Sequence, residues 1–175
     1  MLPMNQEELY DALDASRERL LMALEPLPDE ALTYPGVLGH WSVCDLLAHL
    51  ATWEAELVTA LMQVRQGKKP QRLLQALADR DAYNAARYEE NKDRDLEWVF
   101  ADFQGARAQL EQWLEDFSDR ALNDPRRYKW FDKPLWEIIA DVTFRHEAAH
   151  AAAVEAFARD WQAARVDLGS IEVNE

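Results

Sequence analysis

Near the end of the chain, "RHEAAH" (145–150) sets two histidines four residues apart around a glutamate, the pattern H-E-x-x-H. On a helix, residues four apart lie one above the other, so His146 and His150 can each direct a ring nitrogen at one point. With Glu147 as general base, such a pair is the signature of zinc peptidases. A third nitrogen from another helix would give the three-protein-ligand arrangement of catalytic zinc sites, with a position open for water or substrate. His49 is the candidate, because it lies on the apolar stripe Leu46, His49, Leu50, Trp53, Leu57, Leu61 and Val64. His40, the fourth histidine, falls in a loop.

The peptidase reading does not survive the context. Zincins take their third ligand from downstream, and "HEAAHAAAVEAF" has neither the glycine nor the later histidine of the extended motif. Of the later carboxylates, Glu155 shares the same helix and Glu172 sits in the terminal stretch. Glu147 is turned about 100° from His146 around the helix, which suits a solvated surface charge or, alternatively, a residue that supports a ligand. The plain alternative to a metal site is three core or boundary histidines with local hydrogen bonds. Imidazole is only intermediate in its tendency to be buried, so three of four on apolar faces calls for a reason.

The elements that would position these residues are all helical. Leu9, Leu13, Ser16, Leu20 and Leu24 mark a first helix, which Pro26 and Pro28 end, and the loop "TYPGVLGHW" follows. Ser42 starts a second helix with Asp45 as its capping-box partner, and Gly67 and Pro70 stop it. A third stripe runs Leu96, Val99, Phe100, Phe103, Ala106, Leu110, Trp113, Leu114 and Phe117. The last helix begins near Pro134 and carries Leu135, Ile138, Ile139, Val142, His146, Ala149, His150, Ala153 and Phe157 on one face. A weaker helical segment around "LLQALADRDAYNAARYEEN" suits a crossover, or a lid over a pocket. No convincing strand is present. These patterns predict an all-α four-helix bundle with a long crossover between its second and third helices, as one domain over 1–165 with a flexible tail over 166–175.

Composition narrows the partners. The 175 residues carry 49% hydrophobic and 30% charged side chains, an ordinary globular balance. The net charge of -14 argues against nucleic acid and against an anionic membrane surface. One cysteine, Cys44, excludes an internal disulfide and fits a reducing compartment. No leader pattern and no membrane-length apolar run is present, so a cytoplasmic protein with a small-molecule substrate is expected.

At the level of motifs, "HWSVCDLLAHLATWE" together with "HEAAH" resembles the DinB-like superfamily of metal-binding four-helix bundles. That resemblance implies a divalent metal such as zinc or nickel held by one histidine of the second helix and an H-x-x-x-H pair of the fourth, here His49, His146 and His150. The stretches "MNQEELYDALDASRERLLMAL", "DAYNAARYEENKDRDLEWVFADFQGARAQLEQW" and "YKWFDKPLWEIIADVTFRH" are similar to its ClbS/DfsB branch, so the likeness spans residues 4 to 161. The branch implies protection against reactive small molecules, including hydrolysis of a cyclopropane-bearing genotoxin. Many of its members lack a complete histidine triad, so a complete one points to the hydrolase or thiol-transferase members. Bundles of this superfamily often pair as homodimers.

If the site is real, three neutral histidines leave an ion its full charge to lower the pKa of bound water and polarise a substrate. A general base is not obvious: Asp45 is explained by its cap, and Glu54 and Asp141 are expected to face solvent, with Glu54 alternatively lining the pocket or supporting a ligand, as Trp53, Trp136 and Glu147 could. Trp41, Trp53, Trp130 and Trp136 could line a pocket, although packing is the simpler account of each. Arg126, Arg127 and Lys129 of "RRYKW" could hold an anionic group, with a solvated loop the simpler reading. Three functions therefore compete: a metal-dependent hydrolase or transferase, a resistance protein that binds or hydrolyses a reactive natural product without metal, and a non-enzymatic dimeric bundle.

Overall fold

The computed structural model describes residues 3–172. Helix α1 (Gln6–Leu24) opens with a capping box in which the Asn5 side chain accepts from the Glu8 N–H and the Glu8 carboxylate accepts from the Asn5 N–H. After a short α2 (Asp29–Thr33), strands β1 (Pro35–Leu38) and β2 (Trp41–Ser42) form a small antiparallel hairpin. This corrects the expectation of no strand. The two-residue loop Gly39–His40 begins with Gly39 at φ 58, the conformation that favours glycine at the first position of a tight hairpin turn. So short a pair offers no alternating run to read.

The long helix α3 (Val43–Arg65) starts as expected, with Ser42 and Asp45 exchanging both capping-box bonds. It is the central element: every residue of its predicted stripe is buried, and further residues are buried on its other faces. The crossover is two helices, α4 (Gln71–Ala78) and α5 (Arg80–Asn91), separated by Asp79, whose side chain caps α5. Then α6 (Leu96–Leu114), the short α7 (Asp119–Asn123), α8 (Leu135–Val142) and α9 (Phe144–Glu172) complete the chain.

α3 packs along α6 and α1 along α9. Both pairs are parallel: Cys44 lies beside Arg94 and Glu54 beside Arg107, while Ser16 lies beside Glu147 and Arg19 beside Glu155. Parallel neighbours cannot be joined by a tight turn, which is why the α4–α5 crossover is needed. The architecture is therefore all-α, a four-helix bundle as predicted.

The last helix departs from its predicted face. Thr143 separates α8 from α9 with φ -113 and ψ -102, and its hydroxyl donates to the Ile139 carbonyl at 2.6 Å. The interruption moves the register on by one residue. Beyond Thr143 the buried positions are Glu147, Ala151, Val154 and Ala158, whereas Ala149 is exposed and His146, His150, Ala153 and Phe157 are only half-buried. α9 runs to Glu172 with no proline to stop it, through most of the stretch expected to be a tail; residues 173–175 lie outside the described residues.

The core divides into two apolar clusters. One gathers Leu9, Leu13, Trp53, Leu57, Leu110 and α8, the other Leu20, Leu24, Leu46, Leu50, Val99, Phe103 and Val154. Burying each such leucine contributes on the order of 1.5–3 kcal/mol.

Candidate functional site

α3 and α9 bring His49, His146 and His150 together. One ring nitrogen from each lies within 4.8 Å of the other two, and the Nε2 atoms of His49 and His146 are 2.9 Å apart. The rings stand edge-on, with centroids 4.7 Å apart for His49 and His146, 5.3 Å for His49 and His150, and 4.9 Å for His146 and His150. The shift at Thr143 places the α9 pair at the boundary beside α3 rather than in the core, and only His49 is fully buried.

All three imidazoles are held neutral. Burial, then the charges that His146 and His150 would carry, bring His49 down to about 3 from an ordinary 6.5. Burial and His150 bring His146 down to about 4, with Arg80 acting in the same sense, and burial lowers His150. The Val142 carbonyl, one turn back, opposes the shift of His146 without meeting hydrogen-bond geometry, so Nδ1 of His146 is buried and unpartnered. A neutral imidazole is the ligating form.

Aromatic rings frame the cluster. Trp41 stacks on Tyr88 with ring planes 3° apart and meets His49 edge-on, and His40 meets Tyr88 edge-on. Trp53 lies edge-on to His146, and its Nε1–H donates to Asn84 Oδ1 at 2.9 Å, tying α5 to α3. Trp41 and Trp53 thus flank the histidines. Trp136 is buried in the α8 part of the core, and Arg145 sits over its ring. Arg126, Arg127 and Lys129 are exposed, and Cys44 is buried with its thiol pushed up by that burial.

The carboxylates require correction. Glu54 and Glu147, both expected in solvent, are 2% and 1% exposed. They join Arg17 and Arg107 in a four-charge cluster to which α1, α3, α6 and α9 each give one residue. Arg107 Nη2 donates to Glu54 at 2.6 Å and to Glu147 at 3.3 Å; Arg17 Nη2 lies 3.1 Å from Glu54 and 3.0 Å from Glu147. Ser16 donates to Glu147, and Arg107 also donates to the Leu13 carbonyl. Such a cluster is tolerable in a core because its charges sum to zero and its donors are used. Both arginines lie far from the glutamates in sequence, so the pairing gives no local signal. Asp141 is half-buried and paired with Lys133 and Arg145, which draw its carboxyl below the usual range although burial opposes them.

Sequence reading left the segment of α5 open between a crossover and a lid over a pocket. No residue of this helix is fully buried, and the face it turns to α3 carries Tyr83, Asn84, Arg87, Tyr88 and Asn91 rather than an apolar stripe. The only available signal was that absence of an apolar stripe.

The DinB superfamily model matches residues 12–156, and the chain belongs to that superfamily. Among solved structures, an uncharacterised protein from Escherichia coli UTI89 superposes with a TM-score of 0.74 at 20% identity, over 92% of this chain and 96% of that one. The colibactin self-resistance protein ClbS, in complex with a dsDNA, gives 0.71 at 19% identity, over 90% and 97%. A protein from Streptococcus pneumoniae gives 0.71 at 14%, over 93% and 92%. No curated protein matches the sequence.

The ClbS complex overturns the exclusion of nucleic acid from net charge. In that protein the same fold is bound to duplex DNA, so a total of -14 does not decide the matter. Phosphate binding depends on where cations sit and not on their sum. Among the described residues no helix is long and apolar enough to cross a membrane.

Proposed function

We propose that this chain binds one divalent metal ion, zinc or nickel, through His49, His146 and His150, and uses it in a hydrolase or small-molecule transferase reaction. One observation carries the reading: three neutral imidazoles from two helices bring ring nitrogens within 4.8 Å of one another. The donor set fits the ion. Zinc at about 2.0–2.1 Å from each nitrogen in a tetrahedral site needs nitrogens about 3.3 Å apart, within reach of side chains already inside 4.8 Å. A metal-bound histidine ordinarily donates its other ring N–H, and the Val142 carbonyl one turn back is the neighbour placed to orient the buried Nδ1 of His146.

When bound, the ion would supply Lewis acidity and a bound water or thiol of lowered pKa. The chain's own residues do the rest. His49 is fixed by its place on α3 and by Trp41, so the three donors are arranged before any ligand arrives. Trp41, Tyr88 and Trp53 exclude bulk water from the cluster on the α3 and α5 sides. Elemental analysis of untagged protein beside the His146→Ala variant tests the reading. About one equivalent of zinc or nickel in the first and none in the second supports it, and no metal in either after reconstitution contradicts it.

A second reading, resistance to a reactive natural product without metal, is favoured by the likeness to ClbS. It predicts that a His49→Ala/His146→Ala chain still protects cells challenged with such a compound.

A further inference from the structure

We propose that Glu147, the acid inside H-E-x-x-H, is a positioning residue of the histidine site: tied by Arg17 and Arg107 to Glu54, it sets the separation and rotation of α3 and α9 at which the three imidazoles converge. The inference rests on the metal reading above and concerns only how the ligands are placed.

The carboxylate of Glu147 is arranged to hold rather than to exchange a proton. It is 1% exposed, and both oxygens are occupied. Oε1 accepts from the Ser16 hydroxyl at 2.9 Å, and Oε2 accepts from Arg17 Nε at 3.0 Å, from Arg17 Nη2 at 3.0 Å and from Arg107 Nη2 at 3.3 Å. A general base must reach its proton directly or through one water, and these oxygens are turned to two guanidinium groups instead.

The topology shows what is being held. α3 and α9 carry the three histidines, yet each packs chiefly along another helix, α3 along α6 and α9 along α1. Those two partners supply the cations. Arg17 comes from α1 and Arg107 from α6, and Nη2 of each bridges Glu54 on α3 to Glu147 on α9. Without the arginines the two carboxylates would repel each other. Each guanidinium therefore ties together the helices that bear the histidines.

The tie lies beside the imidazoles. Glu147 is turned from His146 and His150 by about 100° and about 60° around α9, and Glu54 follows His49 by about 7.5 Å along α3. Rotating or sliding either helix would pull a carboxylate off its arginines and move the rings with it. Metal ligation tolerates errors of only about 0.2 Å in distance, so such movement tells directly on affinity. Thr143 sets the register: its carbonyl accepts from the Glu147 N–H at 2.8 Å, and after the interruption there Glu147, not His146, enters the core.

Zinc affinity by chelator competition, measured well below the melting temperature, tests this on the untagged full chain, with NMR contacts between the imidazole rings recorded on the metal-free protein. The informative variant is Arg17→Leu/Glu147→Leu. It removes one charge of each sign, keeps the Arg107–Glu54 pair and leaves Ser16 bonded to the Leu13 carbonyl, so the bundle still folds. We expect it to bind zinc about 10- to 100-fold more weakly and to lose the close His49–His146 approach, 2.9 Å between Nε2 atoms in the wild type. Leu122→Ala, a core truncation at the end of the bundle where Asn123 bonds Met4, should lower the melting temperature and keep wild-type affinity. Wild-type affinity in the double variant overturns the proposal, as does an equal loss in Leu122→Ala. If the wild type itself holds no zinc, the metal reading falls and the ring contacts decide this inference alone: lost in the double variant they support it, and unchanged they overturn it.

Discussion

Two polar clusters lie inside this bundle, and they are built on opposite principles. The Arg17, Glu54, Arg107 and Glu147 cluster is fully charged and nearly self-sufficient: only Oε2 of Glu54 lacks a partner. The histidine cluster is uncharged, its three members crowd nitrogens together, and Nδ1 of His146 is left alone. Paired charges drawn from four helices order those helices, whereas uncharged imidazoles with converging nitrogens are in the form that ligates a metal. Glu147 belongs to the first cluster and its neighbour His146 to the second. One turn of α9 therefore faces both, and the ion cluster fixes the rotation that aims the histidines.

The comparison is broken most severely at the charged cluster. Arg107→Met leaves two buried carboxylates with a single guanidinium, and a loss of about 3–5 kcal/mol is expected in urea denaturation. Adding Glu54→Leu to that variant should recover part of the loss, because the uncompensated charge goes with it. If Arg107→Met alone were neutral, the cluster would not order the bundle.

At the histidines the expected effect appears only with metal. Zinc at a hundred times its dissociation constant should stabilise the wild-type chain by about 2.7 kcal/mol, and His146→Ala should abolish that shift while folding normally. A similar shift in both proteins would place the metal elsewhere.

Acid separates the clusters more finely. The folded values of His49 and His146, about 3 and about 4, lie below the 6.5 of the unfolded chain, so the unfolded chain binds more protons between those limits. Stability of the metal-free protein is therefore complete above about pH 6.5 and falls as the pH drops toward 4. His49→Gln should flatten that fall, measured by denaturation at pH 7 and pH 5. The smallest effect belongs to the exposed Arg19–Glu155 pair, where Arg19→Ala should leave the melting temperature within error.

What could be read beforehand follows the range of the interactions involved. The capping box of Ser42 and Asp45 and the stripe through His49 are local, and both stand as expected. The pairing of His146 with His150 is local too, and only the gathering of His49 required the fold. The face of α9 was misread because one residue, Thr143, interrupts a pattern that otherwise continues smoothly. Glu54 and Glu147 were misplaced in solvent because their arginine partners come from α1 and α6, and no spacing rule connects them. Net charge failed as a guide to nucleic acid because a sum carries no positions.

The central claim, that the three histidines ligate one metal ion, is tested most directly by X-ray absorption at the zinc edge of the reconstituted untagged chain. Three imidazole nitrogens at about 2.0–2.1 Å in the wild type, with no bound zinc retained by His49→Ala, His146→Ala or His150→Ala, is the predicted result. A spectrum with fewer imidazoles, or one unchanged by these substitutions, would contradict it.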